Sequence, residues 1–134
     1  PIVAEGLAKR KGLSKENFED LEQTINDMED ALNVNDLDSW AVSDLKFHQR
    51  LVELYGNKRL INILDMLRNQ THRVRLLTRN FRKKPTQSAA DHRLILKYIY
   101  EGESDKAYKA FKRHRERTAK ELLALLDKLQ FSSI

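Results

Sequence analysis

An acidic and an imidazole side chain stand one helical turn apart in a segment that otherwise has the pattern of a buried helix face. Asp44 and His48 are spaced i and i+4. The positions in line with them at three- and four-residue steps are apolar or aromatic, namely Leu37, Ala41, Leu51 and Tyr55. Burying an unpaired carboxylate is costly, so Asp44 is expected to have a cation, a metal ion or several hydrogen bonds as its partner.

Two further histidines interrupt apolar helix faces in the same way. They are His92, in line with Ala89, Leu96 and Ile99, and His114, between Phe111 and Thr118. Taken alone, each is compatible with an ordinary core histidine that hydrogen-bonds to a neighbour. Taken together with the carboxylate, these imidazoles would need a buried partner each, whereas one divalent ion satisfies them all. We therefore predict a metal site made of Asp44, His48, His92 and His114.

The donor set restricts the metal. One carboxylate oxygen with three imidazole nitrogens suits a divalent transition metal, whereas calcium and magnesium prefer oxygen ligands. Zinc is our first candidate, and nickel, manganese, cobalt and iron are compatible. The fourth histidine, His72, lies one step off the line through Leu67, Thr71 and Val74, and we expect it to be solvated.

Other site chemistries have little support in the sequence. The chain has no cysteine, which excludes disulfides, thiolate metal sites and cysteine nucleophiles, and which agrees with a reducing cytoplasm. No glycine-rich phosphate loop is present, and helical spacing connects no serine or threonine to a base. We expect a soluble, cytoplasmic protein without a signal peptide or a membrane contact.

Helices must position these residues, because only 4 Gly and 2 Pro interrupt 134 residues and β-branched residues do not alternate. The apolar spacing and the N-cap residues Ser14, Asp36, Asn57 and Ser104 predict an all-α, compact antiparallel bundle of about six helices. The predicted helices are Ile2–Lys11, Lys15–Leu32, Leu37–Tyr55, Lys58–Phe81, Gln87–Glu101 and Asp105–Leu129.

The charge is divided unevenly along the chain. The whole chain carries a formal net charge of +5, but residues 1–67 carry −5 and residues 68–134 carry +10. The basic stretch Arg68 to Lys84 could contact nucleic acid, yet only Phe81 interleaves with its cations as a stacking aromatic. A solvated helix face with cations near its C-terminal end explains the pattern better.

Three segments carry a family resemblance. The run from Asp44 through His48, followed by Gly56, Asn57 and Leu60, resembles the D-x-x-F-H-x-x-L…G-N-x-x-L segment of the C-terminal effector-binding domain (FCD) of GntR-superfamily transcription regulators, FadR subfamily. Ser88 to Ile95 resembles that domain's S-x-x-E-H-x-x-I, with Asp91 in place of the usual Glu. Gly102 to Ala107, then Phe111 to His114, resembles its G-D-x-x-x-A…M-x-x-H.

The resemblance implies a helical bundle that binds a small effector and changes the DNA affinity of a fused winged-helix domain. In metal-dependent members the Asp and three His bind a divalent ion, and the effector, commonly a small carboxylate, binds at or beside it. Carried over, those ligands are Asp44, His48, His92 and His114. The complete set points to the small-acid branch of the family, and not to members that take an acyl-CoA.

Two departures from the family pattern are expected to matter. We expect one effector- and metal-binding domain over residues 1–134, with the winged helix absent from this chain because no strand signal occurs. DNA would then be contacted only through that missing N-terminal domain. An Arg that commonly precedes the family's E-P segment has no counterpart before Pro1, so part of the effector pocket is expected to be absent or its helix frayed.

A small acid bound at the ion needs a second cation. Arg75 lies at i+4 from Thr71 and next to Val74, on the inward shoulder of the fourth predicted helix. A guanidinium can grip a carboxylate with two hydrogen bonds. We predict Arg75 and Thr71 as effector-binding residues, with a surface arginine whose stem covers its own helix as the alternative.

A hydrolytic enzyme is the competing hypothesis, because a metal ion with open positions can activate water. No separate general base falls on the apolar stripes, and the resemblance is to sensors, so we expect no enzymatic activity. A hydrolysis screen with the metal-loaded domain separates the two. As a regulator that reads two half-sites, the full protein is expected to be a homodimer.

Overall fold

The computed structural model describes the backbone of residues 1–11, 13–78, 81 and 84–132, with side chains for all of these except residues 71, 72, 75–78 and 129–132. This part of the chain contains six helices and no strand, which confirms the all-α class. The helices are α1 (Ile2–Lys9), α2 (Lys15–Asn33), α3 (Leu37–Tyr55), α4 (Lys58–Thr78), α5 (Ser88–Tyr100) and α6 (Ser104–Ser132). None of them combines the length and apolar composition needed to cross a membrane.

Side-chain caps start three of the helices where the sequence predicts them. Ser14 Oγ accepts a hydrogen bond from the amide of Asn17 at 3.0 Å, and Asp36 Oδ1 accepts one from the amide of Ser39 at 3.1 Å. Asn57 caps α4 in the same way (3.1 Å to the amide of Leu60). These bonds satisfy amide groups that a helix leaves without partners in its first turn.

The predicted boundaries need small corrections. Helix α6 begins at Ser104 itself and not after it, and α1 ends before Lys11 because that residue has a left-handed backbone (φ 49°). Gly56 and Gly102 adopt φ values of 82° and 75°, which only glycine takes without strain, and so end α3 and α5. The predicted break at Gly12 lies outside the described residues.

Side-chain contacts between helices show that neighbouring helices run antiparallel. From α2 to α3, Asp20 pairs with Arg50, while Met28 packs near Trp40 at the other end. From α2 to α5, Phe18 contacts Tyr100 and Glu29 pairs with Arg93. From α5 to α6, Asp91 contacts His114 and Lys106 lies over the Tyr98 ring. In each pair the residue numbers rise in one helix as they fall in the other.

The hydrophobic core lies between α1, α2, α3, α5 and the first half of α6. Its largest fully buried apolar side chains are Leu7, Leu21, Ile25, Met28, Phe47, Leu51, Ile95 and Ile99. Helix α1 closes one end of this core: Arg10 donates to the carbonyl oxygen of Tyr55 and lies over its ring. Buried side chains of α3, α5 and α6 all contribute to this core.

Helix α4 departs from its prediction. An amphipathic helix is expected to bury its apolar stripe, which in α4 consists of Leu60, Leu64, Leu67, Thr71 and Val74. In the structure, however, Leu67 is 50% exposed and Leu60 and Leu64 are half-buried. The reason is that α4 packs mainly against α3, where Arg68 donates to Gln49. Ile63 and Met66 are exposed on the same helix.

Candidate metal centre

Helix α3 supplies an anion and an imidazole on its inward face. Asp44 is 3% exposed, and one turn later the His48 side chain is 22% exposed. Asp44 Oδ1 lies 3.3 Å from His48 Nε2, as expected for side chains at i and i+4. The burial predicted for Asp44 is therefore observed, and its partner on its own helix is His48.

Helix α5 brings a second imidazole to the same oxygen. His92 is fully buried, and its Nε2 lies 2.7 Å from Asp44 Oδ1. The ring stacks on Phe47, with ring centroids 4.3 Å apart and planes 10° from parallel. Because Phe47 is itself fully buried, it fixes the plane in which the His92 nitrogen atoms lie.

Helix α6 contributes the third imidazole. His114 is 6% exposed, and its ring centroid lies 4.9 Å from that of His92 and 6.3 Å from that of His48. Its Nδ1 is 2.8 Å from Asp91 Oδ2. A hydrogen bond from Nδ1 to this carboxylate leaves Nε2 as the nitrogen available to a ligand.

The structure thus brings together the three histidines that the sequence singled out. One ligating nitrogen from each of His48, His92 and His114 lies within 4.8 Å of the others. Asp44 touches two of the three imidazoles. It is not a member of the group of three histidine nitrogens, so its role as a fourth ligand stays a prediction. Separations of this size are those of groups that could share one metal ion after small side-chain movements.

Charge and burial favour the forms that bind metal. Burial raises the pKa of Asp44, but the interactions with His48 and His92 outweigh it and hold that pKa well below its ordinary value. Burial lowers the pKa of both His92 and His114, against the opposite effect of Asp44 and Asp91. These pKa directions favour a carboxylate at Asp44 and uncharged imidazoles at His92 and His114 at neutral pH, which are the ligand forms.

Two buried nitrogen atoms in the centre have no hydrogen-bond partner among the residues that the structure describes. They are Nδ1 of His48 and Nδ1 of His92, while both Nε2 atoms converge on the single oxygen Asp44 Oδ1. Most buried polar groups in folded proteins are satisfied, so a centre with more nitrogen donors and acceptors than protein partners needs an explanation. The donor chemistry and these unpaired atoms fit a transition-metal ion.

The sequence reasoning did not identify two residues that contact the centre. Asp91 accepts a hydrogen bond from His114, and Arg117 donates to the same carboxylate oxygen. Burial raises the pKa of Asp91, but the hydrogen bonds from Arg117 and His114 outweigh it and lower that pKa. The signals in the sequence are indirect: Asp91 stands at the Glu position of the S-x-x-E-H resemblance, directly before His92, and Arg117 follows His114 by three residues.

The predicted effector residues Thr71 and Arg75, and His72, which was predicted to be solvated, all lie on α4. Positions 71, 72 and 75 belong to α4, but the side chains of Thr71, His72 and Arg75 lie outside the described residues. Their assignments therefore stay predictions.

Comparison with known proteins agrees with this fold. The model of the FCD domain family matches residues 2–117, which is most of the chain. The chain therefore belongs to the FCD family, the effector-binding domain of GntR-family transcription regulators, a class of ligand-sensing proteins that are generally not enzymes. No curated protein and no solved structure matches the chain.

Proposed function

We propose that this chain is the metal-dependent sensing domain of a bacterial, cytoplasmic transcription regulator of the FadR subfamily. Asp44, His48, His92 and His114 hold one divalent ion, with zinc as the first candidate. The observation that carries the proposal is the approach of three imidazole nitrogens to within 4.8 Å of one another, with Asp44 buried beside two of them. Elemental analysis of protein purified without chelators tests it.

The effector in this proposal is a small carboxylate. A bound ion supplies a Lewis-acidic position for a hard carboxylate oxygen. His48 is the most exposed of the three imidazoles, so it marks the side from which an acid would approach. Arg75 and Thr71 are the residues proposed to hold the rest of the acid. Mass spectrometry of small acids that co-purify with the domain identifies the chemical class of the effector.

Sensing fits this centre better than hydrolysis. A metal-activated water needs a free base to take its proton. The two carboxylates at the centre, Asp44 and Asp91, are already hydrogen-bonded to histidines.

In the full regulator we propose a fused winged helix as the DNA-binding part and a homodimer as the working state. Sedimentation of the full protein measures its oligomeric state.

The domain alone is expected to bind DNA weakly. Lys and Arg outnumber Asp and Glu in residues 68–134, so contacts to phosphate are available, but they carry no sequence information. We expect band shifts that are independent of sequence and disappear on raising the salt from about 50 to about 200 mM. A shift that survives physiological salt and selects one sequence would place operator recognition in this chain.

A further inference from the structure

Asp91 connects the candidate centre to a cation outside it. Its Oδ2 accepts a hydrogen bond from Nδ1 of His114 at 2.8 Å, and the same oxygen accepts one from the guanidinium of Arg117. The carboxylate is mostly buried, with 25% of its side chain exposed, and Arg117 is 30% exposed. The arrangement is a relay of three side chains across α5 and α6.

We propose that Asp91 is the positioning residue of this centre: it holds His114 in the tautomer and orientation that present Nε2 to the ion, and Arg117 holds Asp91. This inference rests on the proposed function, since it assigns a role toward the same ion. A carboxylate that accepts from the second ring nitrogen of a metal-binding histidine fixes the ring and raises its basicity.

The hydrogen bond from Nδ1 to a carboxylate distinguishes His114 from the other two imidazoles of the centre. Nδ1 of His48 and Nδ1 of His92 are buried, with no hydrogen-bond partner among the described residues. Within the described part of the chain, the Nδ1 atom of His114 is the one of the three that has a carboxylate partner. His92 is instead fixed by stacking on Phe47. In the described part of the chain, the ring stacked on His114 is that of His48, with centroids 6.3 Å apart, and this looser stacking leaves the hydrogen bond to Asp91 to orient His114.

The three side chains of this relay are divided between two helices that each also carry a proposed ligand. Asp91 is adjacent to His92 on α5, and Arg117 lies one turn beyond His114 on α6. Each helix therefore carries one proposed ligand and one member of the relay. Because the α5 carboxylate orients the α6 ligand, a correct spacing of the two helices becomes a condition for tight ion binding.

Cobalt titration of the intact domain tests the role of Asp91. We expect Asp91→Asn to weaken Co²⁺ and Zn²⁺ binding by about 10- to 100-fold in competition with a chromogenic chelator. The visible spectrum of the bound Co²⁺ should change as well, since the His114 ring is no longer held. We expect Asp91→Glu, which keeps the charge, to recover most of the affinity and the original spectrum.

Matched controls separate positioning from stability. Asp105→Asn removes an exposed carboxylate from the first turn of α6 and should leave affinity and spectrum unchanged. Arg117→Gln should lose a smaller part of the affinity than Asp91→Asn, and an unchanged affinity would remove Arg117 from the proposal. Circular dichroism of the metal-free variants shows whether the helices are retained. A loss that is equal in Asp91→Asn and Asp91→Glu and accompanies unfolding would reduce Asp91 to a structural residue.

The outcomes distinguish the inference from the function on which it rests. If the unmodified domain fails to bind Co²⁺ and Zn²⁺, the proposed metal function is wrong. If the unmodified domain binds both ions and Asp91→Asn binds them with the same affinity and the same Co²⁺ spectrum, only the role of Asp91 is overturned.

Discussion

Substitution of His48 or His114 by alanine is expected to weaken retention of Zn²⁺ by at least about tenfold. Each imidazole contributes one of the nitrogens that lie within 4.8 Å of one another. Because the proposed ligands belong to α3, α5 and α6, a bound ion would connect three helices and stabilise only the folded state. At a free Zn²⁺ concentration of 100 times Kd, the added stability would be about 2.7 kcal/mol, visible as a higher Tm.

His72→Ala is the control for this prediction. His72 lies on α4, and the sequence places it away from the apolar stripe, so the variant should retain the ion as the unmodified domain does. Equilibrium dialysis with zinc, followed by thermal unfolding with and without the ion, gives both quantities. Equal losses from His48→Ala, His114→Ala and His72→Ala would show that the assigned centre does not bind the metal.

Zinc binding is expected to weaken as the pH falls. Metal ions bind neutral imidazole, and burial places the pKa of His92 and of His114 below the ordinary value of about 6.5. A lowered pKa means that these ligands stay neutral at pH 7 and remain so until the pH passes below about 6.5. The affinity should therefore change little from pH 8 to pH 7 and fall in more acidic solution.

The same pKa directions fix the sign for the metal-free protein. Since the unfolded chain binds protons at His92 and His114 at a higher pH than the folded chain does, acidification through about pH 6.5 should lower the free energy of unfolding. Thermal unfolding between pH 8 and pH 5, with and without zinc, measures both effects. A zinc affinity that rises on acidification would contradict the assignment of imidazole ligands.

The sequence predicted the inward position of the proposed ligands better than it predicted their surroundings. Helical periodicity places Asp44, His48, His92 and His114 on inward faces, because a residue's direction from a helix depends only on its register. The contact between Asp91 and His114 depends on how α5 and α6 pack, and their 23-residue separation has no periodic signal. Only the packed structure therefore shows that Asp91 accepts a hydrogen bond from Nδ1 of His114.

The exposure of the apolar face of α4 is a second feature that the sequence did not predict. The spacing of Leu60, Leu64 and Leu67 correctly indicates an amphipathic helix, but it cannot tell whether a neighbouring helix covers the apolar face. In the structure Leu67 is half exposed, because α3 is the main neighbour of α4. This matters for function, since the predicted effector residues Thr71 and Arg75 lie on the same helix, beyond Arg68 and its contact with Gln49.

A small hydroxy acid or dicarboxylic acid is expected to stabilise the zinc-loaded domain and to have little effect on the chelated one. Four protein ligands leave one or two positions on an ion that accepts five or six, and a carboxylate oxygen suits such a position. The ion alone confers little selectivity, so a cation on the protein should bind the acid's second carboxylate oxygen or its far end. Lactate and succinate are suitable probes for the two classes.

Arg75→Lys is expected to weaken acid binding by about tenfold, equivalent to about 1.4 kcal/mol, while zinc content stays unchanged. A planar guanidinium can bind a carboxylate with two parallel hydrogen bonds, and an ammonium group cannot reproduce that geometry. Arg73→Lys is the matched control, because Arg73 is exposed on the same helix and two positions away. Isothermal titration calorimetry of the zinc-loaded variants with each acid measures the difference. If Arg75→Lys, Arg73→Lys and the unmodified domain bind the acid equally well, Arg75 does not contact the acid. If acid binding is unchanged when zinc is removed, the acid does not bind at the ion.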